Sequence, residues 1–249
     1  MRMSGDDKMR LAIIDIGTNS VRLLIADQGP DYIRRVRTEL ESTRLGEGIG
    51  SSSFLLRNAL ERTIEALVDF NKIIKEAKVQ KLIVTATSAV RDASNRQEFL
   101  TLVEDRLGWR VRVLSGSEEA ELSYIGAVRG LAMPFNYPVV VDIGGGSTEF
   151  IWFKGDNLQL KSVRAGAVRM TENGADLKKI SELLQGVFTD IKGNRCDGLI
   201  GVGGTLTSLA AIDLKLEVYD PGKIHGYFLR RQRVKEILAY LENMSVENR

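Results

Sequence analysis

The sequence predicts an α/β protein built from two similar halves. An apolar strand, an aspartate, a glycine turn and a second apolar strand occur as "AIIDIGTNSVRLLIAD" at residues 12–27 and as "VVVDIGGGSTEFIWF" at residues 139–153. The copies lie about half the chain apart, which is typical of a duplicated domain. Strands also alternate with segments of helical periodicity, as in α/β proteins. Between the copies, "LAMPFNYP" at 131–138 holds two of the four prolines. We therefore predict domains at residues 1–131 and 132–249.

In the first half, apolar strands are followed by amphipathic helices. "LAIIDI" and "VRLLIAD" form two strands around the turn "GTNS", and "YIRRVRTELE" forms a third. Apolar residues at helical spacing predict a long helix over about residues 53–78. The later segments are, in order, a strand at 81–87, a helix at 96–108, a strand at 111–114 and a helix at 115–130. Ser115 and Glu118 open the last helix at the spacing of a capping box.

The second half repeats this order after residue 138. Its first two strands flank "GGGS", and the later segments are a third strand near 160–166, a helix at 177–192, a strand at 198–204 and a helix from about Thr205. The sequence then shows no equivalent of the fifth strand and closing helix of the first half. We therefore expect the second domain to lack its final strand and helix.

Composition and charge narrow the classes of partner. The 249 residues are 43% hydrophobic and 27% charged, with a formal net charge of +2. A nearly neutral chain has no bulk attraction for nucleic acid, so we expect no nucleic-acid partner. The single cysteine, Cys196, cannot form an internal disulfide, which favours a cytoplasmic location. The charged N-terminus is followed by an apolar run that Asp15 and Gly17 interrupt, so we expect neither a signal peptide nor a membrane span.

Three glycine-rich turns follow apolar strands: "DIGTNS", "DIGGGST" and "GVGGT". Glycine lets a phosphate approach the backbone, where successive N–H groups can surround its oxygens and hydroxyl groups add further donors. Glycine turns also serve plain hairpins, so one such turn alone would indicate little. The predicted substrate-binding residues are Thr18, Asn19, Ser20, Gly144, Gly145, Gly146, Ser147, Thr148, Gly203, Gly204 and Thr205.

An aspartate precedes each of the first two turns. Asp15 and Asp142 would repel a bare phosphate unless a divalent cation lay between them. The pair therefore indicates Mg²⁺, or another divalent cation, held by carboxylate and phosphate oxygens together. The turns are neither dinucleotide-binding nor P-loop motifs, because "DIGGGST" precedes a strand and no GxxxxGK[ST] occurs.

Six segments resemble one known family. "AIIDIGTNSVRLLI", "TATSAVRDASN", "LSGSEEAELSYIGAV", "VVVDIGGGSTEF", "GVGGTLTSLAA" and "KIHG" occur in this order between residues 12 and 226. They resemble the Ppx/GppA family of exopolyphosphatases and guanosine pentaphosphate phosphatases, within the superfamily of actin, sugar kinases and chaperone ATPases. The resemblance implies two similar ribonuclease H-like (actin-like ATPase) domains around a central phosphate-binding cleft. Each Asp-Gly turn would form one side of that cleft.

The resemblance also assigns site residues. Glu119 in "SGSEEA" stands where the family has its catalytic glutamate, in the first turn of a helix that favours a carboxylate; alternatively, "SEE" is only a good helix start. Arg91 matches a family arginine and suits a bidentate grip on phosphate. With Asp142, these two residues form the expected catalytic set. Glu149 matches "GGGSTE" and is expected to bind metal or water with Asp15 and Asp142, or else to pair with a basic residue across the strands.

Five further residues have weaker assignments. Arg22 and Arg44 are candidates for contact with a polyanion, although surface arginines are common. Glu118 is expected to cap its helix. His225, the only histidine, is expected to orient a loop, and Lys223 beside it is a candidate for substrate contact.

The leading functional hypothesis is Mg²⁺-dependent hydrolysis of the terminal phosphate of inorganic polyphosphate, with guanosine pentaphosphate as the second substrate. Longer family members carry extra C-terminal helical domains, and their absence here favours shorter polyphosphates. The family also implies a homodimer. Two alternatives remain: a small kinase of the same superfamily, and a non-catalytic sensor of a phosphorylated nucleotide.

Overall fold

The computed structural model describes residues 8–131 and 135–245, with the backbone alone described at residues 50 and 51. Residues 132–134, where the predicted second domain begins, lie outside the described residues. The division of the chain at residues 131 and 132 therefore stays a prediction.

The first half contains a five-stranded sheet in the order β3-β2-β1-β4-β5. Its strands are β1 (Met9–Ile16), β2 (Val21–Gln28), β3 (Ile33–Glu41), β4 (Lys81–Ala86) and β5 (Val111–Val113). The first three strands form antiparallel pairs, and β4 runs parallel to both β1 and β5. Parallel strands need a crossover connection, which helices supply here.

The helices of the first half are α1 (Ile49–Ser52), α2 (Arg57–Glu76), α3 (Ser88–Asp92) and α4 (Arg96–Leu107). Helix α2 buries Leu60, Ile64, Leu67, Phe70 and Ile74, three or four positions apart, against the strands. Each such side chain contributes roughly 1.5–3 kcal/mol by leaving water.

The helix predicted over residues 53–78 begins four residues late. Ser53 adopts the left-handed conformation, with φ 57°, and ends α1, while Leu56 is extended and caps α2. A left-handed residue cannot continue a helix. Helix α4 ends at Gly108, with φ 70°, as the sequence predicts.

The second half contains a four-stranded sheet in the order β8-β7-β6-β9. Its strands are β6 (Pro138–Ile143), β7 (Thr148–Lys154), β8 (Asn157–Val163) and β9 (Gly198–Val202). The pairing repeats that of the first sheet: two antiparallel pairs, with β9 parallel to β6. Within residues 135–245, no strand occupies the place that β5 takes in the first sheet.

The remaining helices are α5 (Gly116–Gly130), α6 (Ala167–Glu172), α7 (Leu177–Ile191), α8 (Gly204–Asp213), α9 (Pro221–Ile224) and α10 (Arg231–Glu242). Helix α5 follows β5 yet packs on the second sheet, where Ala120 joins a core with Val140 and Ile151. Helix α7 covers strands of the same sheet through Val187, which packs with Phe150. None of the helices in the described part of the chain has the length and hydropathy to cross a membrane.

Candidate active site

A cleft of about 640 Å³ lies where the glycine turns of the two halves meet. It brings together most residues that the sequence predicts. The predicted residues that line it are Asp15, Thr18, Asn19, Ser20, Glu119, Asp142, Gly144, Gly145, Gly203, Gly204 and Thr205. Arg22 and Arg44 also line it, which places two cations beside the carboxylates.

The first two turns have the same backbone geometry. Gly17 donates its N–H to Ser20 O, and Gly144 donates to Ser147 O, both at 3.0 Å. Thr18 is buried, with Oγ1 2.8 Å from Ser88 Oγ. The turns pack directly on each other, because a Cβ atom at position 145 would lie 3.0 Å from Thr18 Cβ.

Each turn is supported from behind by the segment that follows the third strand of its sheet. In the first half, the N–H groups of residues 44 and 46 donate to Asn19 O and Thr18 O. In the second half, Ala167 and Arg169 donate their N–H groups to Gly144 O and Gly145 O, and Arg169 Nε donates to Gly146 O at 2.8 Å. Carbonyl oxygens that would repel a phosphate are thus already bonded.

The third turn lies against the second aspartate. Gly203 has φ 94°, and a Cβ atom there would lie 2.6 Å from both Asp142 Oδ1 and Ile143 O. Only glycine fits this position. Helix α8 starts at Gly204, so the N–H groups of its first turn, together with Thr205 and Ser208, border the cleft. A helix N-terminus favours phosphate binding.

Three predicted binding residues point elsewhere or lie behind the cleft lining. Thr148 Oγ1 donates to Ala165 O at 2.6 Å and is buried. Ser147 is also buried. Position 146 lies close to Ser88 Oγ, 2.5 Å from where a Cβ atom would be. These residues shape the turn from below.

A row of polar side chains runs across the second sheet beneath helix α5. Asp142 on β6 pairs with Glu149 on β7, which pairs with Ser162 on β8. Ser162 Oγ donates to Glu149 Oε1 at 2.7 Å, and Ser123 Oγ donates to Asp142 Oδ2 at 2.6 Å. Glu149 is 1% exposed. It therefore lies below the cleft, directly beside Asp142.

The carboxyl groups of Asp15, Glu119, Asp142 and Glu149 all have raised pKa values, and burial is the main cause in each. Burial raises the pKa of Asp15, against the opposing effect of Arg22, and Asp142 raises it further. Burial also raises the pKa of Asp142, which Ser123 partly offsets. Burial, followed by the charge of Glu119, raises the pKa of Glu149 to about 7.

Crowded carboxylates of this kind fit a divalent cation. Among the described residues, no group of three or more His, Cys, Asp or Glu side chains is gathered closely enough to hold a metal ion unaided. Mg²⁺ usually binds through one or two carboxylates together with substrate phosphates. Asp15 and Asp142, on opposite sides of the cleft, are the residues that fit this mode of binding.

Arg91 holds the predicted base. Its Nη1 atom donates to Glu119 Oε2 at 2.8 Å and to Leu114 O at 3.1 Å. Burial raises the pKa of Glu119, whereas the hydrogen bond and charge of Arg91 lower it. Arg91 lies on the short helix α3, which the sequence analysis missed, and does not itself line the cleft. In this structure the Arg91 guanidinium contacts Glu119, and its binding of phosphate stays a prediction.

The weaker assignments also have positions. Glu118 and Ser115 form the predicted capping box of α5. His225 Nε2 lies 2.9 Å from Gly130 O and joins the end of α9 to the end of α5, as expected of a structural residue. Lys223 pairs with Asp220 at 3.9 Å, outside the cleft lining.

The sequence analysis missed the contacts of α6. Arg169 is 5% exposed, and its Nη2 atom donates to Asp92 Oδ2 at 2.7 Å. Glu172 lines the cleft and accepts a hydrogen bond from the Gly48 N–H at 2.6 Å. The sequence signal that could have indicated α6 is the segment "GAVRMTE", in which an arginine follows a glycine and two apolar residues after a predicted strand.

Comparison with known sequences points to one family. The model of the Ppx/GppA phosphatase family matches residues 24–249. Exopolyphosphatase 2 of Mycobacterium tuberculosis is 35% identical over 237 residues, which cover 87% of this chain and 74% of that protein. A bifunctional 3-dehydroquinate synthase/phosphatase of Fusobacterium nucleatum is 34% identical over an alignment of 257 positions, and the match covers 94% of this chain. The chain spans only 39% of the length of the Fusobacterium protein.

Solved structures show the same fold. An exopolyphosphatase-like protein has a TM-score of 0.86 at 33% identity, and the match covers 96% of this chain and 79% of that one. The Ppx/GppA family member of Aquifex aeolicus has a TM-score of 0.77 at 32% identity, and the match covers 97% of this chain and 81% of that one. These likenesses confirm the predicted α/β fold, in which two sheets with the same strand pairing lie around a cleft. The chain belongs to the Ppx/GppA phosphatase family.

Proposed function

We propose that the chain hydrolyses the terminal phosphate of inorganic polyphosphate and uses Mg²⁺ or another divalent cation. The observation that carries the proposal is Glu119, which Arg91 holds beside Asp15 and Asp142 in a cleft bordered by three glycine turns. A relative named exopolyphosphatase 2, 35% identical, supports polyphosphate as the first substrate to test.

The turns would bind the terminal phosphoryl group. Backbone N–H groups of the glycine turns and of the first turn of α8 are the donors, with hydroxyl groups of Ser20 and Thr205 beside them. Arg22 and Arg44 would attract the remaining anionic chain. Donors arranged in advance stabilise the charge that develops on the phosphoryl oxygens in the transition state.

The aspartates would hold the cation. Asp15 and Asp142 lie in the lining on opposite sides of the cleft, and buried carboxylates without a counter-ion are costly. When bound, Mg²⁺ neutralises negative charge on the phosphoryl oxygens. Glu149, beneath Asp142, is proposed as a further ligand for the cation or its water.

Glu119 would act as the general base. Its carboxylate accepts a proton from a water molecule as the water oxygen bonds to the terminal phosphorus. The anhydride bond to the next phosphate breaks, and the leaving oxygen stays on the shortened chain. Proton transfer of this kind contributes roughly 10²–10⁴-fold to the rate. Arg91 favours the ionised form of the base, against the effect of burial, and holds the base in place.

The finer assignments belong to the same proposal. Guanosine pentaphosphate ends in the same phosphoanhydride group and is the second substrate. A homodimer and a cytoplasmic location are proposed from the family resemblance and from the single cysteine, respectively.

Phosphate release from four substrates tests the proposal. The purified chain is assayed on tripolyphosphate, long polyphosphate, guanosine pentaphosphate and ATP, each with Mg²⁺ and with a chelator. We expect release from polyphosphate that the chelator abolishes, and the ratios among substrates then rank them. Release that is equal in the chelator would contradict the role of the cation. No release from any substrate by a folded protein would contradict the proposed function.

A further inference from the structure

Arg169 joins the two halves of the molecule next to the active site. Its guanidinium is almost fully buried, and it donates both to Gly146 O of the second turn and to Asp92 Oδ2 on helix α3 of the first half. A buried charge needs a partner, and removing one member of such a pair is strongly unfavourable. The guanidinium therefore fixes the second turn to α3.

Helix α3 also carries the residue that holds the base. Asp92 is the direct neighbour of Arg91, whose Nε atom lies 3.8 Å from Asp92 Oδ1 and whose Nη1 atom binds Glu119. The Arg91 N–H also donates to Thr87 O at 2.9 Å, at the start of α3. A continuous set of polar contacts thus runs from Gly146 to Glu119.

Close packing and backbone hydrogen bonds attach the second turn to helix α6. A Cβ atom at Gly166 would lie 2.4 Å from Gly145 C, so the backbone before α6 packs directly on the turn. Ala167 and Arg169 bind the turn's carbonyl oxygens through their N–H groups. Helix α6 and the second turn are therefore held together as one unit. The side chain of Arg169 connects this unit to Asp92.

We propose that Arg169 and Asp92 form a positioning pair that fixes the phosphate-binding turn at residues 144–146 relative to Glu119. The inference rests on the proposed function. Neither residue lines the cleft, so neither is expected to touch the substrate. Their effect is on the distance between the bound phosphoryl group and the base, and a misplacement of about 1 Å can cost about 10²-fold in rate.

Substitutions at three arginine and aspartate positions test the pair. Arg169→Met removes both contacts, Arg169→Lys keeps a cation, and Asp92→Asn keeps the size of the side chain. Arg164→Met is the matched control, since Arg164 Nη2 lies 3.3 Å from Asp92 Oδ2 but its side chain is 66% exposed. Release of phosphate from tripolyphosphate is measured per folded molecule, with kcat and KM determined separately.

The expected results separate positioning from general stability. In Arg169→Met, kcat falls by about 10- to 100-fold while KM changes by less than about threefold, because the loss lies in alignment. Arg169→Lys recovers part of kcat, and Arg164→Met stays within about twofold of the wild type. The double variant of Arg169→Met and Asp92→Asn loses no more than the worse single variant, because the pair acts as a unit.

Three outcomes would overturn the inference. If the wild type is active and both Arg169 variants keep its kcat per folded molecule, the inference is overturned while the proposed function stands. A double variant whose loss equals the product of the single losses would show that the two residues act independently. A wild type that releases no phosphate would overturn the proposed function and this inference with it.

Discussion

Glu149 lies directly opposite Asp142 on the neighbouring strand, and at the equivalent place in the first sheet Arg22 lies opposite Asp15. The aspartate of the first turn thus lies opposite a basic residue, whereas the aspartate of the second turn lies opposite an acidic one. Arg22 counteracts the rise in the pKa of Asp15, whereas burial and Glu119 raise the pKa of Glu149 to about 7. Carboxyl groups are therefore concentrated on the side of the cleft that the second sheet forms, where a divalent cation would favour their ionised form.

Replacing Glu149 should stabilise the protein in the absence of divalent cations. A carboxyl group with a raised pKa keeps its proton in the folded state up to about pH 7, while the unfolded chain releases it near its ordinary pKa of about 4.3. Stability is therefore lost as the pH rises between these values, and the cost is complete above about pH 7. We expect Glu149→Gln to raise the free energy of unfolding by about 1–3 kcal/mol at about pH 8 in a chelator.

Denaturation in urea at about pH 8 and about pH 4.5 checks this expectation, because the difference between Glu149→Gln and the wild type should nearly vanish at the lower pH. Phosphate release should fall in the same variant. A stability difference of the same size at both pH values would show that ionisation of Glu149 is not its cause.

Replacing Arg91 should shift the pH dependence of the reaction. Arg91 lowers the pKa of Glu119 against the effect of burial. Without the guanidinium the pKa of Glu119 rises, so a higher pH is needed to ionise the base. We expect Arg91→Met to move the acid limb of kcat/KM to higher pH and to lower kcat by about 10- to 100-fold. An acid limb at the wild-type pH in a folded Arg91→Met would argue that Arg91 does not act on Glu119.

Gly203 and Gly204 offer a matched pair of substitutions. At Gly203, φ is 94° and an added Cβ atom would lie 2.6 Å from Asp142 Oδ1, whereas nothing lies within 4 Å of one at Gly204. We expect Gly203→Ala to lose about 1–3 kcal/mol of stability and most of the activity, and Gly204→Ala to stay within about 1 kcal/mol of the wild type. Thermal unfolding and phosphate release measure both. Equal effects of the two substitutions would contradict the close packing of Gly203 on Asp142.

Asp27 should control acid stability far from the cleft. Its carboxylate is fully buried and is bound by Lys8, Arg10 and Arg34 at 2.7, 2.9 and 3.0 Å. Hydrogen bonds from Arg10, and then from Lys8, hold the pKa of Asp27 well below its ordinary value. The stabilisation is therefore present above about pH 4 and is lost as the pH falls through the lowered pKa.

Asp27→Asn should accordingly be less stable than the wild type at about pH 7, and the difference should narrow progressively below about pH 4. Asp69→Asn is the control, because the Asp69–Lys72 pair is exposed and should contribute less than about 0.5 kcal/mol. Urea denaturation across this pH range measures both variants. A constant difference between Asp27→Asn and the wild type would contradict the ionic origin of the effect.

The parts of the fold that the sequence predicts well are those with a local signal. Alternating and continuous apolar runs predict the strands around both Asp-Gly turns, and the capping box of Ser115 and Glu118 predicts the start of α5. The half-chain spacing of the two turns predicts a duplicated domain, and the family resemblance implies that the turns meet in one cleft. Such patterns arise from backbone periodicity and side-chain capping, which neighbouring residues decide.

The parts that the sequence missed depend on contacts between distant residues. Helices α3 and α6 are only five and six residues long, too short for a periodic pattern. The contacts of Arg91 with Glu119 and of Arg169 with Asp92 join residues 28 and 77 positions apart. No local pattern distinguishes a buried, paired arginine from one in solvent, so these roles become visible only in the folded chain.

The most direct test of the account compares two adjacent glutamates. Glu119 lines the cleft, whereas its neighbour Glu118 caps α5 and pairs with Arg112. Phosphate release from tripolyphosphate with Mg²⁺ is measured for Glu119→Gln and Glu118→Gln at equal folded concentration. The account predicts a loss of roughly 10²–10⁴-fold in Glu119→Gln and a rate within about threefold of the wild type in Glu118→Gln, since glutamine also suits a capping box. A folded Glu119→Gln that releases phosphate at the wild-type rate would contradict the assignment of Glu119 as the general base.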